Sequence, residues 1–433
     1  MGFRIGKHFA FLTVLFLAAG TISAETLNLD QCIEFALKNR ANIIIARGRA
    51  KVAGADKRQA FGQFLPNIDA SYSRSEGKEY EISPPLSGGI DKQDKGPNKI
   101  LSVSGSMDVI NFSNWFNFFG ASASSSAAYL AAINSEQELI FDVKSSYYDY
   151  LRAVQNEATN KQAVERGKEQ LKLVESRYEL GSAAYSDVLG QRVLYGNDRL
   201  EHLRAQNNVT TTKAVLSYTI GTDPNQNVEF ETVADAREYA GSMEEAVNFG
   251  LEHEPGLLAA QKELSAGKHG LSSALADYIP KLSIFGEYSD FTGNVAFPTV
   301  QQFSSKEKTF GFRISYSIFD GFGRQRNVTR AKVDRNNAKA EHSDARNLVM
   351  QQIKTAYLDI HNQKEAVSVA QESVAAAEEN MKIVQERYNL GAATILDLLT
   401  AQEDLKRAQV SLINSKFDLN LAIARLENAM GKP

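Results

Sequence analysis

Ser265-Ala266-Gly267-Lys268 sets a hydroxyl and an amine three residues apart. That is the Ser-x-x-Lys spacing of the acylating pair in penicillin-recognising enzymes. Neither Lys-Thr-Gly nor Ser-Asp-Asn accompanies it, and it sits within helical periodicity, so the match reads as chance. Gly321-Phe322-Gly323 supplies the first two glycines of a dinucleotide loop, but Arg326 stands where the third is needed. The 6 histidines form no His-Glu-x-x-His pair. Cys32 is the 1 cysteine, which excludes a disulfide framework and a multi-thiolate metal site. It reads as a small buried residue of the first helix. Neither a cofactor nor an enzyme activity is expected. A net charge of -4 gives no basic footprint for nucleic acid. Two carboxylates remain, Asp187 and Asp397, each a few residues past a glycine where a helix restarts. At residue level each reads as a helix cap or a favourable first-turn charge.

The elements that carry these residues come in two copies. Arg177-Tyr178-Glu179-Leu180-Gly181 returns as Arg387-Tyr388-Asn389-Leu390-Gly391, 210 positions on. The same offset pairs Lys144 with Lys354, Tyr147 with Tyr357, Asp149 with Asp359 and Asp187 with Asp397. Earlier in each half Leu65-Pro66 aligns with Ile279-Pro280. An internal duplication replaces the several ordinary domains that 433 residues would otherwise suggest. The division is a leader over 1–24, a first repeat over 25–221, a linker over 222–241 and a second repeat over 242–433. The leader has Arg4 and Lys7, then apolar Phe9–Ala19, then Thr21-Ile22-Ser23-Ala24, the pattern of a secretory signal peptide cut after Ala24.

Each repeat reads helix, strand, strand, long helix, helix. Residues 29–63 have helical spacing until Pro66. Residues 67–76 and 100–110 alternate, with Ile68, Ala70, Tyr72, Leu101, Val103 and Met107 against serines and aspartates. Strands 281–290 and 308–318 repeat this, with Leu282, Ile284, Phe310, Phe312 and Ile314 on the apolar face. Between the strands, 83–89 and 290–294 read as loops. Helices follow over about 121–180 and 184–219, and again over 325–390 and 394–429. The stripe Val349, Ile353, Tyr357, Ile360, Val367, Val374, Met381, Val384 and Tyr388 is a narrow coiled-coil seam.

Charged residues make up 23% of the chain and the mean hydropathy is -0.31, which excludes a polytopic helical membrane protein. Four strands of about ten residues, apolar on one face and polar on the other, fit tilted transmembrane β-strands. Four strands leave two open edges, which lipid forbids. Several chains must therefore share one barrel: two would give eight strands and a filled interior, three would give twelve and a channel. Phe112, Trp115, Phe116, Phe118 and Phe119 follow the second strand and read as an interfacial aromatic girdle. The competing reading is a soluble periplasmic coiled-coil adaptor or structural protein.

The paired Arg-Tyr-x-x-Gly turns with Asp187 and Asp397, the Leu65-Pro66 and Ile279-Pro280 strand starts, and Phe319-Asp320-Gly321 together resemble the TolC-type outer-membrane efflux family. The likeness covers essentially the whole mature sequence. It implies an α+β membrane protein: a homotrimer with a twelve-stranded barrel in outer-membrane lipid, continuing into a long periplasmic α-helical barrel. A mixed equatorial region would lie near 222–240 and the C-terminus. It implies passive export of drugs, toxic ions or polypeptide, within a tripartite efflux or type I secretion system. The partners implied are a periplasmic adaptor and an inner-membrane pump. By the same resemblance Tyr388 and Asp187 hold the closed periplasmic tip, Asp397 belongs to a selectivity ring, and the turns at Arg177, Tyr178, Gly181, Arg387 and Gly391 meet the adaptor. Ala393 and Thr400 depart from the pattern, where an arginine tether and a second acidic ring are expected.

Overall fold

In the computed structural model the described residues are 26–76, 78–82, 90–94, 97–223, 228–232, 238–296 and 300–432. The expected leader and the 83–89 loop lie outside them. The chain runs α1 (Leu29–Asn39), α2 (Ala41–Gly62), β1 (Asn67–Ser75), β2 (Lys78–Ile82), β3 (Ile90–Asp94), β4 (Asn98–Ile110), α3 (Phe112–Glu179) and α4 (Tyr185–Ile220). It continues α5 (Met243–His253), α6 (Pro255–Ala276), β5 (Lys281–Ala296), β6 (Val300–Ser315), α7 (Gly323–Asn389) and α8 (Ile395–Ala429).

Three expectations need correction. The single helix over 29–63 is two, broken at Arg40, whose ψ of 129° is extended. Its guanidinium stacks 4.5 Å from the Tyr218 ring and Nη1 donates to the Tyr218 carbonyl at 3.0 Å, so a tertiary contact holds the break. The equivalent break before α6 is local: Pro255 sits in its first turn and the Glu254 carboxylate accepts from the N–H groups of Gly256 and Leu257. Secondly, Asp290–Asn294 is strand and not loop. β5 and β6 pair without interruption from Lys281↔Ser315 to Ala296↔Val300, so cross-strand pairing overrides the loop-like composition. Thirdly, 78–94 contains the extra hairpin β2–β3. The long helices also begin earlier than periodicity suggests, at Phe112 and Gly323, and each is roughly 100 Å long at ~1.5 Å per residue.

β1, β4, β5 and β6 form one antiparallel sheet in the order β1-β4-β5-β6, so β1 and β6 are its open edges. Ala70 opposes Val103, Met107 opposes Ile284 and Leu282 opposes Ile314, which collects the apolar residues on one face. The other face is polar, and Ser71 Oγ meets Ser102 Oγ at 2.8 Å. The helices continue that order beneath the sheet, with α2 against α3, α3 against α6 and α6 against α7. Farther away α3 pairs with α4, α7 with α8, and α3 with α8.

Apolar packing is spread along this length. Cys32, Ile43, Leu139, Val143, Leu151, Leu216 and Phe230 form one knot, and Leu257, Ile353, Ile423, Leu426 and Met430 a second. Burial pushes the Cys32 thiol up to about 12, in keeping with a packing role. The linker is tied to the first knot through Phe230 and a bridge to Leu27, and the Tyr147 hydroxyl donates to the Glu231 carbonyl at 2.7 Å.

Candidate functional site

Both long helices end in the same turn. Gly181 and Gly391 each take φ +73°, a left-handed conformation that suits glycine. Gly181 N–H donates to the Tyr178 carbonyl and Ser182 N–H to the Arg177 carbonyl, at 2.9 and 2.8 Å. Gly391 N–H and Ala392 N–H donate to the Tyr388 and Arg387 carbonyls at 3.1 and 2.8 Å. These paired bonds make two Schellman turns. A Cβ at either glycine would meet nothing within 4 Å, so backbone conformation alone asks for glycine.

Asp187 and Asp397 are both in the first turn of the returning helix, but they are not held equally. Asp397 Oδ2 accepts from the N–H and the hydroxyl of Thr394, each at 2.8 Å, and its own N–H donates to Thr394 Oγ1 at 3.2 Å. That is a full capping box. The Thr394 N–H, then its hydroxyl, hold the Asp397 carboxyl below the usual carboxylate range; desolvation opposes them more weakly, and the charge of Arg387 adds a still smaller lowering. At the first tip Ala184 has no hydroxyl to give. Asp187 Oδ2 accepts only a long 3.4 Å bond from the Ala184 N–H, while Oδ1 meets the Ser186 hydroxyl at 3.4 Å.

Tyr388 is buried in an apolar knot with Val174, Val188 and Leu398 that binds the two hairpins together. The Arg177 guanidinium lies 5.0 Å over its ring and donates to Asn389 Oδ1 at 3.0 Å. Arg387 donates to the Ala392 carbonyl at 3.1 Å. The two tips are thus joined within one chain through Tyr388 and Arg177. Tyr388 and Asp187 share no hydrogen bond there. Ala393 packs against the knot, and the Thr400 hydroxyl donates back to the Leu396 carbonyl at 2.9 Å. Leu180, Leu390 and Leu396 stand exposed at the very end, and the tilted rings of Tyr178 and Tyr185 meet at 5.4 Å.

One group of residues escaped the sequence reading. Lys406 on α8 bridges Asp198 on α4 at 3.0 Å and Glu403 at 2.7 Å, with the Lys406 and Asp198 side chains 12% and 7% exposed. Burial lowers the Lys406 pKa, but its bonds to Glu403 and Asp198 outweigh that and raise it. Arg166 and Gly167 face Asp198 from α3, where a Cβ on Gly167 would come within 3.3 Å of Asp198 Oδ2. A signal existed: at the 210 offset Arg166, Gly167, Gln191 and Asp198 correspond to Ala376, Ala377, Ala401 and Ala408. Residues 321–323, which lack the third glycine of a dinucleotide loop, lead into the start of α7, where Asp320 Oδ2 accepts from Arg324 N–H and Nε at 2.9 and 3.1 Å. Among the described residues no His, Cys, Asp and Glu group could hold a metal. No described helix is long and apolar enough to cross a membrane.

The outer membrane efflux protein family matches residues 32–222 and 248–432, nearly all of both halves. The chain belongs to this family. The outer membrane efflux protein BepC of Brucella suis is 21% identical over 420 residues, spanning 96% of this chain and 89% of its own length. The outer membrane protein TolC of Vibrio cholerae is 23% identical over 357 residues, or 79% of this chain and 80% of its own. In three dimensions the chain is similar to the outer membrane protein VceC of Vibrio cholerae, with a TM-score of 0.80 at 20% identity over 93% and 96% of the two chains. Family membership makes the chain an outer-membrane efflux channel that reaches into the periplasm. It gives no support to a soluble adaptor.

Proposed function

We propose that three copies of this chain close their four-stranded sheets into one twelve-stranded barrel and their helices into one tunnel wall. Substrates then pass without chemistry from the periplasmic tip to the cell exterior. The observation that carries this is the pair of open edges, β1 and β6, on a sheet with one apolar face and the edge helices α2 and α7 below it. Unpaired edges are untenable in hydrocarbon, and a ring of copies removes them. Twelve strands leave room for a water-filled passage that eight would fill with side chains. The duplication of the chain is part of this proposal; the two matched stretches and the twofold recurrence of the tip turn support it.

In this assembly the tips converge, so three Asp397 and three Asp187 carboxylates ring the opening, and the Tyr388–Arg177 contact sets how far each hairpin pair can part. The exposed leucines and Schellman turns, with Arg177, Tyr178, Gly181, Arg387 and Gly391, face the periplasmic adaptor. An inner-membrane pump supplies the energy through that adaptor. The test is mass and conductance. In mild detergent the particle should weigh as three chains of 47.7 kDa less their leaders, and in planar bilayers it should conduct without nucleotide. A conducting single chain would overturn the proposal.

A further inference from the structure

The chain as a whole carries a net charge of -4, yet its two edge helices are strongly basic beside the sheet. α2 has Arg47, Arg49, Lys51, Lys57 and Arg58 against Asp56 alone. α7 has Arg324, Arg326, Arg330, Lys332, Arg335 and Lys339 before its seventeenth residue is passed, against Asp334 alone. Arg47 pairs with Glu136, Arg324 with Asp320 and Arg330 with Asp334. Among the described residues no ion pair engages Arg49, Lys51, Lys57, Arg58, Arg326, Lys332, Arg335 or Lys339, and most of these side chains are exposed.

Their spacing sorts them by face. On α2 Arg47, Lys51 and Arg58 are 4 and 11 residues apart, one stripe flanking the side that packs on α3. On α7 Lys332, Arg335, Lys339 and Arg346 follow at 3, 7 and 14, one stripe flanking the side that packs on α6. Viewed from each helix N-terminus, both stripes lie clockwise of the buried stripe. α2 runs toward the sheet and α7 away from it, and they stand at opposite edges, so the two reversals cancel. Both basic stripes therefore face the same side of the wall.

If copies close edge to edge, α7 of one meets α2 of the next, and the two stripes line a single seam. Like charges brought together so closely oppose closure until an anion neutralises them. We propose that this seam is a binding site for phosphate oxyanions, supplied by the headgroups of anionic phospholipid at the periplasmic surface of the membrane. On α2 the stripe reaches Arg58, four residues before the helix end beside β1, whereas on α7 Lys332 stands nine residues past the helix start and the stripe runs on to Arg346, so at ~1.5 Å per residue the two extend from roughly 6 to roughly 35 Å below the sheet ends of the helices. Arg58 on α2 and Arg326 in the first turn of α7 stand nearest headgroup depth, where each Lys or Arg contributes about 1 kcal/mol of attraction to an anionic surface. Arginine is prominent in both stripes, and its planar fork suits phosphate. One seam per subunit boundary gives three sites in a trimer. The proposal rests on the ring closure above.

The test uses the purified full assembly in neutral detergent. Native mass spectrometry should retain phosphatidylglycerol in preference to phosphatidylcholine by about thirty-fold, which two engaged cations would supply. Inorganic phosphate at matched ionic strength distinguishes the sources: if it displaces the lipid where chloride does not, the site reads phosphate itself; if phosphate and chloride act alike, the site needs the headgroup in its bilayer. Either result supports the seam. Replacing Arg58→Gln, Arg326→Gln and Lys332→Gln together should abolish the preference, while Lys172→Gln and Lys382→Gln, far down the helices, should not. Equal retention of the two lipids by the wild-type trimer overturns the proposal and needs no variant. A particle that never trimerises refutes the ring closure instead, which the measured mass reveals separately.

Discussion

A carboxylate held by its own helix cap keeps its charge in acid longer than a free one. Asp397 is held in this way by Thr394, and in the folded chain its pKa lies below the usual value. Its contribution is therefore complete above the ordinary carboxylate pKa and is lost only as pH falls through the lowered one. If the three copies ring the opening, they give a cation-preferring conductance. Asp397→Ala should shift the reversal potential toward neutrality. Thr394→Ala keeps the carboxylate but removes its hydroxyl partner, so cation preference should fade at higher pH than in the wild type. The lost cap should also cost about 1 kcal/mol. Reversal potentials across a pH series check both; identical pH profiles for Thr394→Ala and wild type would detach the cap from the charge. Higher on the hairpins, Lys406→Met takes from Asp198 its direct ion-pair partner in a nearly closed site and leaves it only the more distant Arg166. A wholly uncompensated buried charge costs about 3–5 kcal/mol, and the neighbouring Arg166 keeps the cost for Asp198 below that. The thermal midpoint should drop clearly for Lys406→Met and recover in part when Asp198→Leu is added.

At the scale of elements, the sheet has two chemically different faces, and a single charge tests them. Val103 and Ile314 belong to the apolar face, Ser104 and Ser315 to the polar one. Arginine on the lipid face near mid-bilayer costs about 2–4 kcal/mol, whereas the lumen accepts it. Val103→Arg and Ile314→Arg should therefore lose assembled protein in the membrane fraction, and Ser104→Arg and Ser315→Arg should not. Equal yields would mean that neither face touches lipid. The strand alternation was legible because it has period two over about ten residues. The extension of β5 and β6 through Asp290–Asn294 was not, because Gly293 and Asn294 carry turn chemistry and only their partners across the ladder, Phe303 and Gln302, make them strand. The same limit hid the helix break at Arg40, which depends on Tyr218, 178 residues away.

The whole molecule is an open layer, sheet above and helices below, with unfinished edges on both sides. Closure should be visible in amide exchange. In the assembled protein the amides of β1 and β6 should exchange as slowly as those of β4 and β5, because every strand then has two neighbours. If exchange mass spectrometry finds β1 and β6 fast while the inner strands are slow, the edges are free and the chains are joined elsewhere.

The recurrence of the tip turn 210 positions apart, the four amphipathic strands and the long proline-free helices were set by sequence alone, because each is a local or periodic property that needs no partner to be read. From them followed the architecture, the outer-membrane siting and the positions of Asp187, Tyr388 and Asp397. Only the tertiary structure decided which side chains these positions meet. It gave Asp397 a full cap and Asp187 half of one, placed Arg177 over the Tyr388 ring, and left Asp187 apart from that ring within the chain. It also assembled Arg166, Asp198 and Lys406 from three helices. Such contacts join residues as far as 211 positions apart, and no spacing within one helix can announce a partner on another.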